Sequence, residues 1–172
     1  MRLEPATGAD LPHFHALIER AYRGEGARAG WSSEADLLTG PRTSRAELAG
    51  FLADPARHLL VWRTDDSICA CVHLWERGKG VVYLGMLTVD PAMQGGGIGK
   101  RLLAATEIHA RDQLGATAME MQVFSRRREL LSFYERRGYR PTGERRPFAY
   151  QDVPQAGALF DDLEFVVLEK AL

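Results

Sequence analysis

The residues best placed for chemistry are Gln94-Gly95-Gly96-Gly97-Ile98-Gly99-Lys100, where a run ending in Val89-Asp90-Pro91 gives way to a helical pattern. A helix start carries backbone N–H groups with no intrahelical partner and the positive end of the helix dipole, so it attracts anions. Glycines bring those groups up to a phosphate with no Cβ in the way, and they accept positive φ. Lys100 and Arg101 put cations at the end where the dipole disfavours them, which points to an anionic ligand rather than to helix stability.

Spacing separates the phosphate-binding loops this could be. A P-loop requires Gly at position 94 and Ser or Thr at 101, where the chain has Gln94 and Arg101. A dinucleotide fingerprint starting at Gly95 or Gly97 requires glycine at 100 or 102, which are Lys100 and Leu102. What remains is Gln/Arg-x-x-Gly-x-Gly/Ala, met by Gln94, Gly97 and Gly99.

Other chemistries find less support. The five histidines are scattered with no H-E-x-x-H spacing, and Cys69 and Cys71 lack partner ligands, so no metal site is expected. Two apart in a strand, both cysteines are expected on one face, as small core or cleft residues of a cytoplasmic protein. The net charge of -1 gives no electrostatic case for nucleic acid or an anionic membrane. Arg126-Arg127-Arg128 and Arg136-Arg137 read as solvated helix faces. No opening segment reads as a signal peptide, and no run approaches the ~20 apolar residues of a membrane span.

The elements that must hold the loop follow from periodicity and punctuation. Residues 2–6 open with a short strand, and Thr7 or Asp10 caps a helix to about Tyr22. Residues 23–43 have no clean period. Ser44 caps a second helix that Asp54-Pro55 ends. Strands at 58–62, 67–75 and 81–89 are joined by tight turns and imply an antiparallel meander. A helix over 98–114 follows the loop, then a strand at 117–124 and a helix over 126–137 stopped by Gly138. Strands at 139–142 and 163–169 complete the order β-α-α-β-β-β-α-β-α-β-β. This is one α+β (α/β/α) domain over 1–172, with helices on both faces of its sheet.

Loop, order and two further motifs resemble the GNAT N-acetyltransferases. Leu87-Thr88-Val89-Asp90-Pro91 is similar to the "L-x-V-x-P" ending of the family's fourth strand, and Phe133-Tyr134-Glu135-Arg136-Arg137-Gly138-Tyr139 to its "FYEKLGF" motif. The resemblance implies a mixed, mostly antiparallel sheet of about seven strands. It implies acetyl-CoA as acyl donor, its pyrophosphate on the backbone amides of Gln94, Gly95, Gly96, Gly97, Ile98, Gly99 and Lys100. The backbone of Leu87 and Val89 would pair with the pantetheine arm, and the Val89 N–H would stabilise the oxyanion. Tyr134 would be the general acid. The helical pattern alone makes Tyr134 a core aromatic. Where the family carries Asn and Ala, seven and four residues before this tyrosine, the chain has Arg127 and Leu130; Ser125 or Arg127 is the available substitute for the Asn.

The general base stays open among Glu76, Glu120, Gln122, His73 and Tyr83. The resemblance puts the acceptor against 22–42, including Asp36 and Arg42, and 145–162, including Phe148 and Asp152, with Trp31, Glu34 and Tyr150 as contacts. A groove of aromatics and carboxylates would suit a small cationic amine or an amino acid derivative, and the expected acceptor is a small-molecule primary amine. Acetylation of a protein amine, or a non-catalytic acyl-CoA-binding module, are the competing readings, and a homodimer is an expectation from the family.

Overall fold

The computed structural model describes residues 3–23, 27, 33–64, 67–150 and 157–172. The elements are β1 (Leu3–Pro5), α1 (Leu11–Tyr22), α2 (Arg45–Ala53), β2 (Arg57–Thr64), β3 (Ser67–Gly78), β4 (Val81–Val89), α3 (Ile98–Leu114), β5 (Ala118–Phe124), α4 (Arg128–Glu135), β6 (Arg140–Pro147) and β7 (Glu164–Ala171). The order is the expected one, and local signals explain the bounds that agree. Ser44 accepts from the Glu47 N–H to start α2, and Asp54 takes an extended conformation ahead of Pro55 to end it. α3 lies between two left-handed glycines, Gly97 at φ 72° and Gly115 at φ 64°.

Seven strands form one sheet in the order β1-β2-β3-β4-β5-β7-β6. Every pairing is antiparallel except β4 with β5. α1 and α2 cover one face through Phe14, Leu17, Ile18 and Leu48, packed on Leu59, Val61 and Cys71. α3 and α4 cover the other, where Leu103, Ala110 and Tyr134 meet Leu60, Val72, Leu84, Met119 and Met121. This is the mixed α+β sheet with helices on both faces that the GNAT resemblance implies.

Of the sheet's register shifts, two in the central strands bear on the site, and neither was expected. Trp62 pairs with Ala70 but Arg63 pairs with Ile68, so Cys69 is an extra residue. The bulge overturns the expectation that both cysteines share a face: Cys69 packs with Trp62 and Leu102 on the α3 side, and Cys71 with the α1 and α2 cluster. The second bulge is in β4, where Cys71 pairs with Thr88 but His73 with Gly85. Met86 takes φ 51° there, an unusual conformation for a residue with a Cβ. The extra residue reverses the in-out alternation. Val82 and Leu84 face α3 and α4, Met86 turns to the α1 cluster, and Leu87 and Val89 return to the α3 side.

Candidate active site

β4 and β5 pair over only three positions, Val81 with Ala118 through Tyr83 with Glu120. Beyond Tyr83 the bulged β4 bends away and the two strands open into a wedge. Asp90 donates its N–H to the Cys69 carbonyl at 2.9 Å. In an antiparallel ladder, hydrogen-bonding residues alternate, so the polar backbone groups of the adjacent Val89 face away from β3 and into the wedge. The Val89 carbonyl accepts from Gln94 Nε2 at 3.2 Å, tying the glycine loop to the strand end. Tyr22 Oη donates to the Leu87 carbonyl at 3.3 Å from the other side.

A cleft of about 290 Å³ lies over the loop and α4, lined by Leu87, Val89, Gln94, Gly95, Gly97, Gly99, Leu130, Phe133, Tyr134, Arg136 and Arg137. Gly95 has φ 101° and Gly97 φ 72°, conformations that L side chains rarely adopt. A Cβ built at Gly95, Gly96 or Gly97 meets nothing within 4 Å, so the three glycines leave a bare backbone surface. At Gly99 the Cβ would lie 3.9 Å from Val89 Cγ2 and 4.0 Å from Phe133, within the cleft. Ile98 is buried against Leu102 and Val89, and the Lys100 side chain is exposed. Their contribution to an anion site would therefore be their backbone N–H groups. The cleft thus joins a glycine-lined helix start to an open strand edge, an arrangement suited to a phosphorylated, extended ligand.

Sequence reasoning treated Arg136 and Arg137 as a solvated face, yet both line this cleft. The Arg137 guanidinium stacks 3.5 Å over the Phe133 ring, and its buried Nε has no hydrogen-bond partner. Burial, with Arg136 beside it, lowers its pKa. The position of both residues within the tyrosine motif was the signal that could have revealed them.

A second cavity, also about 290 Å³, lies across the wedge on the α1 and α2 side. Tyr83, Gly85 and Gln122 form its floor, Tyr22, Arg23, Glu34 and Arg42 one wall, and Phe124, Phe148 and Phe165 another. Leu87, Leu130 and Tyr134 border both cavities. Tyr134 is therefore both core and site: its ring packs edge-on to Phe133 and Tyr139, at 5.2 and 5.7 Å. Among the described residues no hydrogen bond engages its hydroxyl. Burial raises its phenol pKa well above the ordinary value, with Tyr22 and Tyr83 adding to the shift. Tyr139 is fully buried, donating to Glu107 at 3.0 Å, as a structural residue would.

The remaining candidates separate by geometry. The Glu34 carboxylate is held by Arg23 at 3.1 Å and Arg42 at 3.5 Å. Tyr150 donates to the Phe160 carbonyl and accepts from the Leu163 N–H, bracing the end of the β6–β7 connection outside the cavity wall. Trp31 and Asp152 lie outside the described residues. Arg127 lines the second cavity and donates to the Ser33 carbonyl, so it borders that cavity and not the cleft. Among the candidate bases, Glu76 is paired with His58 and Glu120 with Arg146. His73 stacks on Phe51 at 4.6 Å with Arg57 3.4 Å from its Nε2. Burial and then Arg57 push its pKa down to about 4. Only Tyr83 and Gln122 of that set reach the cavity. Among the described residues no group of three or more His, Cys, Asp or Glu side chains is arranged to hold a metal, and no helix is long and apolar enough to cross a membrane.

Two cavities thus meet at one phenol, beneath a strand wedge and beside a helix start capped by a left-handed glycine. The model of the Acetyltransferase (GNAT) family matches residues 16–139, and the chain belongs to that family. The mycothiol acetyltransferase of Salinispora tropica is 31% identical over 134 residues, 77% of this chain and 42% of that protein. The chain thus spans less than half the length of that curated relative. A GNAT family acetyltransferase from Elizabethkingia anophelis, solved with acetyl-CoA bound, superposes with TM-score 0.64 at 17% identity over 75% of this chain and 84% of that one. The ribosomal-protein-S18-alanine N-acetyltransferase from Escherichia coli gives 0.73 at 14% identity over 98% and 92%. Identities this low make the likeness one of fold.

Proposed function

We propose that the chain transfers an acetyl group from acetyl-CoA to the primary amine of a small molecule. The observation that carries this reading is Tyr134, which borders both the glycine-lined cleft and the cavity across the wedge. The residues of the cleft fit the donor: bare glycine amides at a helix start for a pyrophosphate, and an unpaired strand edge for the amide-bearing arm. Acetyl-CoA supplies an activated thioester carbonyl. The Val89 N–H, aimed into the wedge, is the donor for the oxyanion that forms there. The Tyr134 phenol keeps its proton through the neutral range, so it can give a proton or a hydrogen bond to the departing sulfur.

Deprotonation of the amine has no dedicated side chain in this reading. Glu34 is the single carboxylate among the described residues lining the acceptor cavity, and two guanidiniums engage it. The amine therefore enters neutral or loses its proton to water. The cavity's volume of about 290 Å³ and its aromatic wall favour a small molecule over a polypeptide. Cys69 and Cys71 are unpaired thiols, which suits a reducing compartment, and we place the protein in the cytoplasm, acting alone or as a homodimer.

Thiol release from acetyl-CoA, followed across a panel of primary amines and over pH, tests the proposal. The expected kcat/KM rises with pH and levels at the ionisation of the amine used, shifting when the amine is changed. A rise fixed at one pH for amines of different basicity would assign the proton to a protein base instead.

A further inference from the structure

The partition between the two cavities has one member without a role. Leu87, Leu130 and Tyr134 border both cavities. Leu87 belongs to the open strand edge, and Tyr134 carries the phenol. Leu130 stands four residues before Tyr134 on α4, so the two side chains lie on one face of the helix, a turn apart. It is half-buried and packs, with Leu87, against the cluster that holds Leu84, Met121 and Val123. Those three are buried, and they line the second cavity but not the cleft. Beside Leu130, then, the partition is walled by hydrocarbon from α4, β4 and β5.

A thioester lying in this partition has few orientations open to it. Its carbonyl carbon holds oxygen, sulfur and the acyl carbon in one plane, and the amine must approach from outside that plane. With the oxygen on the Val89 N–H and the sulfur at the Tyr134 hydroxyl, the acyl carbon points away from both. Across the wedge from β4 it meets Met121 and Val123 of β5, with Leu130 packed on the same cluster. A methyl group suits such a wall, and a longer chain runs into it.

We infer that Leu130 closes the acyl end of the donor site and restricts the transferred group to short chains, acetyl before all. This rests on the acetyl-CoA reading of the donor. In the transfer the amine nitrogen bonds to the acyl carbon as the carbon–sulfur bond breaks. The sulfur leaves as the thiol with the phenol's proton, and the amine gives a proton to water, from which the phenol is restored. Each added methylene must displace the Leu130 side chain or turn the carbonyl off the Val89 N–H. Leu130 is thus a specificity-determining residue, touching the acyl group and taking no part in proton transfer.

The test compares acetyl-, propionyl- and butyryl-CoA with one accepted amine, for wild type, Leu130→Ala and Leu130→Val. Thiol release gives kcat/KM, and calorimetric binding of CoA checks the donor site of each variant. Since one methylene in an apolar pocket discriminates by about 10–200-fold, wild type should favour acetyl-CoA over butyryl-CoA by tenfold or more. Leu130→Ala should narrow that ratio at least fivefold by gaining on butyryl-CoA, with CoA affinity within threefold of wild type. Leu130→Val should fall between, and it decides the matter where the alanine variant does not bind CoA. Butyryl-CoA used by wild type as well as acetyl-CoA would overturn the inference, as would an unchanged ratio in a variant that binds CoA normally. If no amine is accepted, calorimetric binding of the three thioesters gives the same ratio, with the same two outcomes. Failure of both CoA and acetyl-CoA to bind wild type would instead remove the donor reading, and the acyl site with it.

Discussion

Replacing Tyr134 by Phe removes one oxygen and leaves the ring where it is. The ring's contacts with Phe133 and Tyr139 depend on its carbons, and no hydrogen bond from the described residues is lost with the hydroxyl. Folding stability should therefore change by no more than ~0.5 kcal/mol, as for substitutions that break no named interaction. The expected effect is on the chemical step. General-acid catalysis contributes about 10²–10⁴-fold, and the low end corresponds to about 2.7 kcal/mol of barrier. Acetyl-CoA affinity should hold, because the proposed pyrophosphate contacts are the backbone amides of the glycine loop and not this side chain. Thiol release under saturating amine, beside calorimetric titration with acetyl-CoA, reads the two quantities separately. A kcat within threefold of wild type at unchanged affinity would refute the role given to Tyr134 and leave it a core aromatic. A loss of melting temperature matching the loss of rate would refute the separation of fold from chemistry.

Other consequences can be measured directly. Gly97→Ala meets no neighbour within 4 Å, so its cost is the left-handed backbone at φ 72°, about 1–2 kcal/mol. At ~2–4 °C per kcal/mol for a chain of this size, melting should fall by several degrees, and an unchanged melt would contradict the cap geometry. His73 has its pKa pushed down to about 4 by burial and Arg57, below an unfolded value near 6.5. Its contribution is therefore intact above about pH 6.5 and lost as pH falls through 4, up to about 3 kcal/mol. Urea unfolding between pH 7 and 4 should show this loss, and His73→Phe, which keeps a ring against Phe51, should flatten it. An equal acid slope in the variant would assign the loss to other groups.

Where the sequence and the structure agree, the signals are local. Ser44 with Asp54-Pro55 bounds α2, and the left-handed glycines at 97 and 115 bound α3, because each of these residues acts on the backbone within one turn. β6 reaches Pro147, well beyond the expected 142, because pairing with β7 overrides its polar, glycine-containing sequence. The bulge at Met86 gave no warning either. A non-glycine at φ 51° is held by the surrounding sheet and by Thr88 Oγ1, which donates to the Met86 carbonyl at 2.9 Å.

The site divides in the same way. The loop and Tyr134 were legible because a helix start and a short motif lie in contiguous residues. The pairing of Glu34 with two arginines at the second cavity was not. Arg23, Glu34 and Arg42 are brought together by a connection with no period of its own, and Glu34 read alone looks like a free carboxylate. Its pairing with two arginines offsets its charge within the cavity wall.

The measurement that bears most directly on the account is calorimetric titration of acetyl-CoA into wild type, Gly99→Ala and Gly99→Asp. Position 99 is in the first turn of α3, where an aspartate suits the helix dipole, while its Cβ faces the cleft between Val89 and Phe133. Wild type should bind at micromolar concentration, the alanine variant should bind measurably, and the aspartate variant should fold and lose binding through repulsion of the phosphates. No heat with wild type, or undiminished binding by Gly99→Asp, would contradict the assignment of the donor to this loop.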